Sequence, residues 1–101
     1  MLASFSVVPL DKGVKLGAHV AGIISLIDES GLDYRMGPME TTVEGDCDEV
    51  MDLVKRCHMA MRGVSSRVIT SIKIDDREGA SGRIGGKIAD VEKALGRKVK
   101  K

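Results

Sequence analysis

The residues best placed for chemistry are a carboxylate, Glu44, an ammonium, Lys73, and three hydroxyls, Ser6, Thr42 and Ser71, all in short segments that read as β-strands. A carboxylate accepts hydrogen bonds from an amine, an ammonium donates to an anion, and a hydroxyl does both. Such a set suits a polar organic molecule. The competing reading makes Glu44 and Lys73 a cross-strand ion pair on a wet face, worth roughly 0.2–1 kcal/mol. His19 and His58 fall on helical segments, and neither has another imidazole, thiol or carboxylate at metal-ligating spacing in its own helix. Each reads as a half-buried packing histidine, although His19, near a helix start, is also placed to line a ligand cleft. Cys47 and Cys57 match no zinc, iron–sulfur or Cys-x-x-Cys redox spacing and read as reduced. The stretch Gly79 to Lys87 is glycine-rich, but a phosphate-binding P-loop needs Gly where Ser81 stands and Ser or Thr where Ile88 stands. No nucleophile, base and orienting third group can be picked out, so the expectation is a protein that binds without catalysing.

Composition narrows the class further. The chain has 101 residues, 16 basic and 15 acidic side chains and a formal charge of +1, which suits one domain and argues against a strongly basic nucleic-acid binder. Phe5 and Tyr34 are the only aromatics, too few for the stacking platforms of single-strand binders or RNA-recognition modules. Balanced charge at 31% beside 43% hydrophobic residues gives enough apolar surface to fold. Met1 to Leu10 lacks a basic signal-peptide start, and Val20 to Ile27 is too short to span a bilayer, so a cytoplasmic location is the expectation.

The elements that position these residues follow from periodicity. Ala3 to Leu10 reads as a strand ended by Asp11-Lys12-Gly13. Leu16, Val20, Ile23, Ile24 and Ile27 recur at helical spacing up to Ser30-Gly31. Asp33 to Met36 and Thr41 to Gly45 flank Gly37-Pro38 as a hairpin. Asp46 with Glu49 forms a capping box that opens a helix with the stripe Val50, Leu53, Val54, Cys57 and Met61, ending at Gly63. Arg67 to Asp76 is a further strand and Asp76 to Gly82 a polar loop. Ile84, Ile88, Val91 and Leu95 mark a last helix, followed by a frayed basic end, Arg97 to Lys101. The order is βαββαβ plus a helix. Right-handed crossovers turn it into an α+β, ferredoxin-like sandwich: a four-stranded antiparallel sheet with two helices on one face and an extra C-terminal helix.

Strand alternation divides the sheet into two faces. Phe5, Val7, Val43, Val68, Ile72 and Ile74 should pack under the helices. Ser4, Ser6, Val8, Thr42, Glu44, Ile69, Ser71 and Lys73 fall opposite, a surface too apolar for an ordinary wet face and too polar for a core. A second copy, or a small ligand held between copies, would cover it. Exposed edge strands make a homo-oligomer the default expectation.

The segments Phe5 to Leu10, Glu29 to Tyr34, Pro38-Met39, Val43 to Asp46 and Ile72 to Arg77, with Gly86-Lys87-Ile88 and Val91-Glu92, resemble the YkoF-like thiamine-binding domain family over nearly the whole chain. The resemblance implies a single ferredoxin-like domain over residues 1–101, assembled as a homodimer or homotetramer. It implies binding of thiamine or its hydroxymethylpyrimidine moiety without chemistry; no cofactor is expected, and the residue spacing and composition above lead to the expectation of no metal, no nucleic acid and no membrane. Glu44 would then meet the exocyclic amine of the aminopyrimidine. Thr42, Ser6 and Ser71 would supply further hydrogen bonds, Lys73 would orient Glu44 or meet an anionic substituent, and His19 would line the cleft. One departure stands out: Glu40 occupies a position where the family commonly has glycine. The alternative within the same fold is a ligand-sensing regulatory module that contacts another protein. An acylphosphatase-type enzyme would need an arginine in the loop that here reads Asp11-Lys12-Gly13-Val14.

Overall fold

In the computed structural model, which describes residues 1–101, the elements are β1 (Leu2–Pro9), α1 (Gly17–Glu29), β2 (Asp33–Met36), β3 (Thr41–Glu44), α2 (Cys47–Arg62), β4 (Val68–Asp75) and α3 (Arg83–Leu95). The four strands form one antiparallel sheet in the order β2-β3-β1-β4, the ferredoxin-like arrangement. β1 shows why the sheet is one-sided. Its residues alternate without exception, Ala3, Phe5, Val7 and Pro9 buried and Leu2, Ser4, Ser6 and Val8 half-exposed.

Ala3, Phe5, Val7 and Val43 meet Ile23 and Ile27 of α1 and Val50, Leu53, Val54, Cys57 and Met61 of α2 in an aliphatic core. Only 14 of the 101 residues are buried, so this single layer of contacts carries the hydrophobic stabilisation. The start of α2 is set locally. Asp46 Oδ1 accepts from the Glu49 amide at 2.8 Å, and Glu49 Oε1 accepts from the Asp46 amide at 3.3 Å, the capping box read from the sequence. Such a cap contributes about 1 kcal/mol.

Three features differ from the sequence reading. Ile72 and Ile74 lie on the helix side, opposite Phe5 and Ala3, yet are 37% and 44% exposed. β4 is an edge strand, and α2 covers β1 more fully than it covers β4. The open face is not wholly bare, because the first turn of α3 sits over one end of it (below). The basic C-terminus folds back onto α3: Glu92 accepts from the Val99 amide at 2.9 Å and from Lys101 Nζ at 2.7 Å. The rest of α3 buries no residue: Val91 and Leu95 are about half exposed, and the whole chain measures 46 × 29 × 20 Å.

Asp11 ties the end of β1 to the α2–β4 loop. Its carboxylate accepts from Ser65 Oγ at 2.5 Å, and from the Ser66 amide and Oγ at 3.0 and 2.8 Å. The Ser65 hydroxyl, then the Ser66 amide and hydroxyl, hold the Asp11 carboxyl well below the usual carboxylate range. A depressed folded-state pKa stabilises the fold above the unfolded value and loses that contribution as pH falls. Asp11→Asn should therefore lower the melting temperature at neutral pH. The gap to wild type should shrink as pH drops below about 4, read by thermal denaturation of both proteins across that range.

Candidate functional site

The two halves of the sheet are unequal. β1 and β4 run side by side for eight residues, from Leu2 opposite Asp75 to Pro9 opposite Val68. β3 pairs with only four residues of β1, and the pairing stops where Thr41 meets Phe5. Beyond Phe5 the chain has already turned. The Gly37 amide donates to the Glu40 carbonyl at 2.9 Å, and a Cβ on Gly37 would lie 2.7 Å from that oxygen, so glycine is required there.

The vacated side of β1 exposes backbone. Leu10 donates to the Arg67 carbonyl at 2.9 Å on the β4 side, and Met1 accepts from the Gly45 amide at 3.1 Å on the β3 side. Because antiparallel pairs alternate, even-numbered residues of β1 bond to β4 and odd-numbered ones turn toward β3. The N–H and C=O of Val7 thus point where β3 has no residue left. They face a cleft of about 120 Å³ roofed by Val20, Ile23, Ile24 and Ile27 of α1 and walled by the hairpin segment Met36 to Thr41. Its lining is mainly apolar, with Ser6, Glu40 and the buried Thr41 as the polar side chains. Glu40 Oε2 accepts from Ser4 Oγ at 2.6 Å, which holds the carboxylate between cleft and open face.

Register orders that open face into rows. Arg35, Thr42, Ser4 and Lys73 form one row across the four strands. Asp33, Glu44, Leu2 and Asp75 form the next, and Ser6 with Ser71 lies on the other side of the first. Of the residues singled out in the sequence, Ser6, Thr42, Glu44, Ser71 and Lys73 therefore share the uncovered face. His19 does not join them. It lines a hollow between α1 and α2 beside Ala60, Met61 and Val64, across the helix layer from the sheet's open side.

Glu44 has another task. Both its oxygens accept from the Arg83 amide, at 2.9 and 3.0 Å, and Oε1 also accepts from the Ile84 amide at 3.2 Å. α3 starts after Gly82, which has no side chain to cap it, so a carboxylate from β3 satisfies the amides that the first turn leaves unpaired. The cross-strand pair of Glu44 with Lys73 does not form, because β1 lies between β3 and β4. His58 packs as expected, with Nδ1 2.7 Å from Thr70 Oγ1. Burial pushes the Cys57 thiol up to about 11, so it is protonated at neutral pH.

Sequence reasoning missed Glu40, Arg35 and the Val7 peptide. A signal was present for the last: eight residues read as β1 against a β3 confined between Gly37-Pro38 and Gly45. The parity of Asp33 to Met36 also places Arg35 with Thr42.

A ferredoxin-like sheet with a one-sided core and an apolar cleft bordered by hydrogen-bonding groups defines a small-molecule-binding domain. The comparisons with known proteins agree: the thiamine-binding protein family model matches residues 3–92, and the chain belongs to that family. A UPF0045 protein of Mycobacterium bovis is 38% identical over 96 residues, 94% of this chain and 94% of its own length. A crystal structure of a Methanocaldococcus jannaschii hypothetical protein superposes with a TM-score of 0.81 at 32% identity, covering 94% of both chains. A Thermotoga maritima structure described as a candidate thiamine biosynthesis/salvage protein gives 0.79 at 30% identity, covering 89% of this chain and 96% of that one.

Two substitutions separate the cleft from the α3 seat. Glu44→Gln should raise amide hydrogen exchange at Arg83 and Ile84 while leaving the cleft intact. Gly37→Ala should open the hairpin and displace Glu40, seen as chemical-shift changes from Met36 to Thr41 with the core resonances kept.

Proposed function

We propose that this chain binds thiamine or its hydroxymethylpyrimidine moiety, without catalysis, in a homo-oligomer. The observation that carries the reading is the Val7 peptide at the floor of an apolar cleft. An aminopyrimidine presents an amine donor next to a ring-nitrogen acceptor, and a free peptide edge presents the complement, C=O beside N–H. α1 and the methionines of the hairpin, Met36 and Met39, supply apolar and polarizable surface for the ring. Glu40, whose one side-chain partner is the Ser4 hydroxyl, rather than Glu44, is the carboxylate placed to meet the exocyclic amine or the neighbouring thiazolium cation. The family model and the Thermotoga relative support the same ligand class.

The cleft's volume supports a shared site. Pockets that engulf drug-sized ligands measure about 300–1,000 Å³, and about 120 Å³ suits one ring and leaves the remainder of a larger ligand on the open face. A second copy over that face would bury Val8 and Ile69, the latter 47% exposed, and the outer edge of β4 offers a row of unpaired backbone groups. The reading without catalysis rests on the site's chemistry: Ser4 donates to the Glu40 carboxylate, but no third group orients that pair as a nucleophile and base.

Calorimetric titration with thiamine and with hydroxymethylpyrimidine should give saturable binding, and Glu40→Gln should weaken it by about tenfold, the loss of one charge-assisted hydrogen bond. Absence of heat at millimolar ligand sinks the reading. Light scattering should report a dimer or tetramer.

A further inference from the structure

We propose that the open face next to the cleft holds a phosphate group, so that the ligand bound in full is a phosphate ester of the thiamine-type molecule; this rests on the reading just given and specifies its ligand. The row Arg35–Thr42–Ser4–Lys73 carries it. Two cations flank two hydroxyls. The protein's ion pairs are Arg56–Asp52, Arg83–Asp90, Lys87–Asp75 and Lys101–Glu92, so neither Arg35 nor Lys73 has an acidic partner.

The neighbouring row shows that this imbalance is organised. Its three carboxylates are Asp33, Glu44 and Asp75, and α3 satisfies two of them. The Arg83 and Ile84 amides bind Glu44, and Lys87 binds Asp75. The acidic row is thus covered from within the chain, while the basic row is left open beside the cleft. Adjacent strands lie about 4.8 Å apart, which puts Arg35 and Lys73 about 14 Å apart at the backbone with Thr42 and Ser4 between them. Both side chains are long enough to lean inward over one strand each. An arginine fork, an ammonium and two hydroxyls are the donors that a phosphate monoester takes.

Charge order matches as well. From the cleft outward the protein presents a neutral peptide edge at Val7, the Glu40 carboxylate at the mouth, and then the Arg35 and Lys73 cations. A phosphorylated thiamine presents a neutral aminopyrimidine, a thiazolium cation and an anion in the same sequence. Ester binding would take over the Ser4 hydroxyl that now donates to Glu40 and free that carboxylate for the cation.

The experiment titrates the intact oligomer at low salt with thiamine, thiamine monophosphate and inorganic phosphate, for wild type and for Arg35→Met with Lys73→Met. Both residues are exposed, and circular dichroism checks that the double variant folds. The monophosphate should bind wild type about tenfold tighter than thiamine, with the advantage eroding as salt rises, and the ratio should fall to about one in the double variant. Equal affinity for thiamine and its monophosphate in wild type overturns the phosphate subsite and leaves the thiamine reading standing. Inorganic phosphate competing as well as the ester overturns it too, since the row would then be a general anion site. Failure of both thiamine and its ester to bind removes the underlying reading and this one with it.

Discussion

β1 is eight residues long and its neighbour β3 is four, and the cleft beside β1 depends on that inequality. β3 is bounded by the Gly37–Glu40 turn before it and by Gly45 after it. A Cβ at Gly45 would come within 3.0 Å of Leu32 Cδ2 and 3.5 Å of Val50 Cγ2, and α2 begins two residues later at Cys47. At its start the strand cannot lengthen without undoing the hairpin, where the Gly37 amide donates to the Glu40 carbonyl. A central strand therefore keeps one free edge over half its length. Free backbone in an apolar setting is costly unless something bonds to it, and the ligand contact proposed at the Val7 peptide would meet that need.

The helices make this edge into a cleft. α1 and α2 both pack on one side of the sheet, and Ile23 and Ile27 of α1 belong to the core while Val20 and Ile24 lie over the gap beside β1. The same helix that buries Phe5 thus roofs the cleft. The opposite side of the sheet has too little apolar surface to attract a helix along its length. α3 is fixed there chiefly by the carboxylates of Glu44 and Asp75 at its first turn. Further along its apolar stripe, Ile88 is half-buried while Val91 and Leu95 stay exposed.

The elements are legible in the sequence because their signals are local. The alternation of Leu2 to Pro9, the helical stripe of α2 and the Asp46–Glu49 box each involve residues a few positions apart. Face assignment follows from parity, so strand alternation alone puts Ser6, Thr42, Glu44, Ser71 and Lys73 on one surface. What that surface does with them is less legible. Glu44 has the chemistry of a ligand group and serves as the cap of a helix 39 residues further on, and Glu40, a departure from the family pattern, supplies the carboxylate at the cleft. His19 does lie on a helix, but the rotation of that helix turns it toward α2.

By itself, then, the order of residues determined secondary structure, sheet face and family, since periodicity and capping are set by near neighbours along the chain. Which carboxylate is spent on a helix terminus, where a strand runs out of partners and which cations remain unopposed depended on contacts between segments 30 to 50 residues apart, such as Ser4 with Glu40 or Met1 with Gly45. Those contacts exist only once the sheet register brings the segments together, and no local rule in the sequence encodes them.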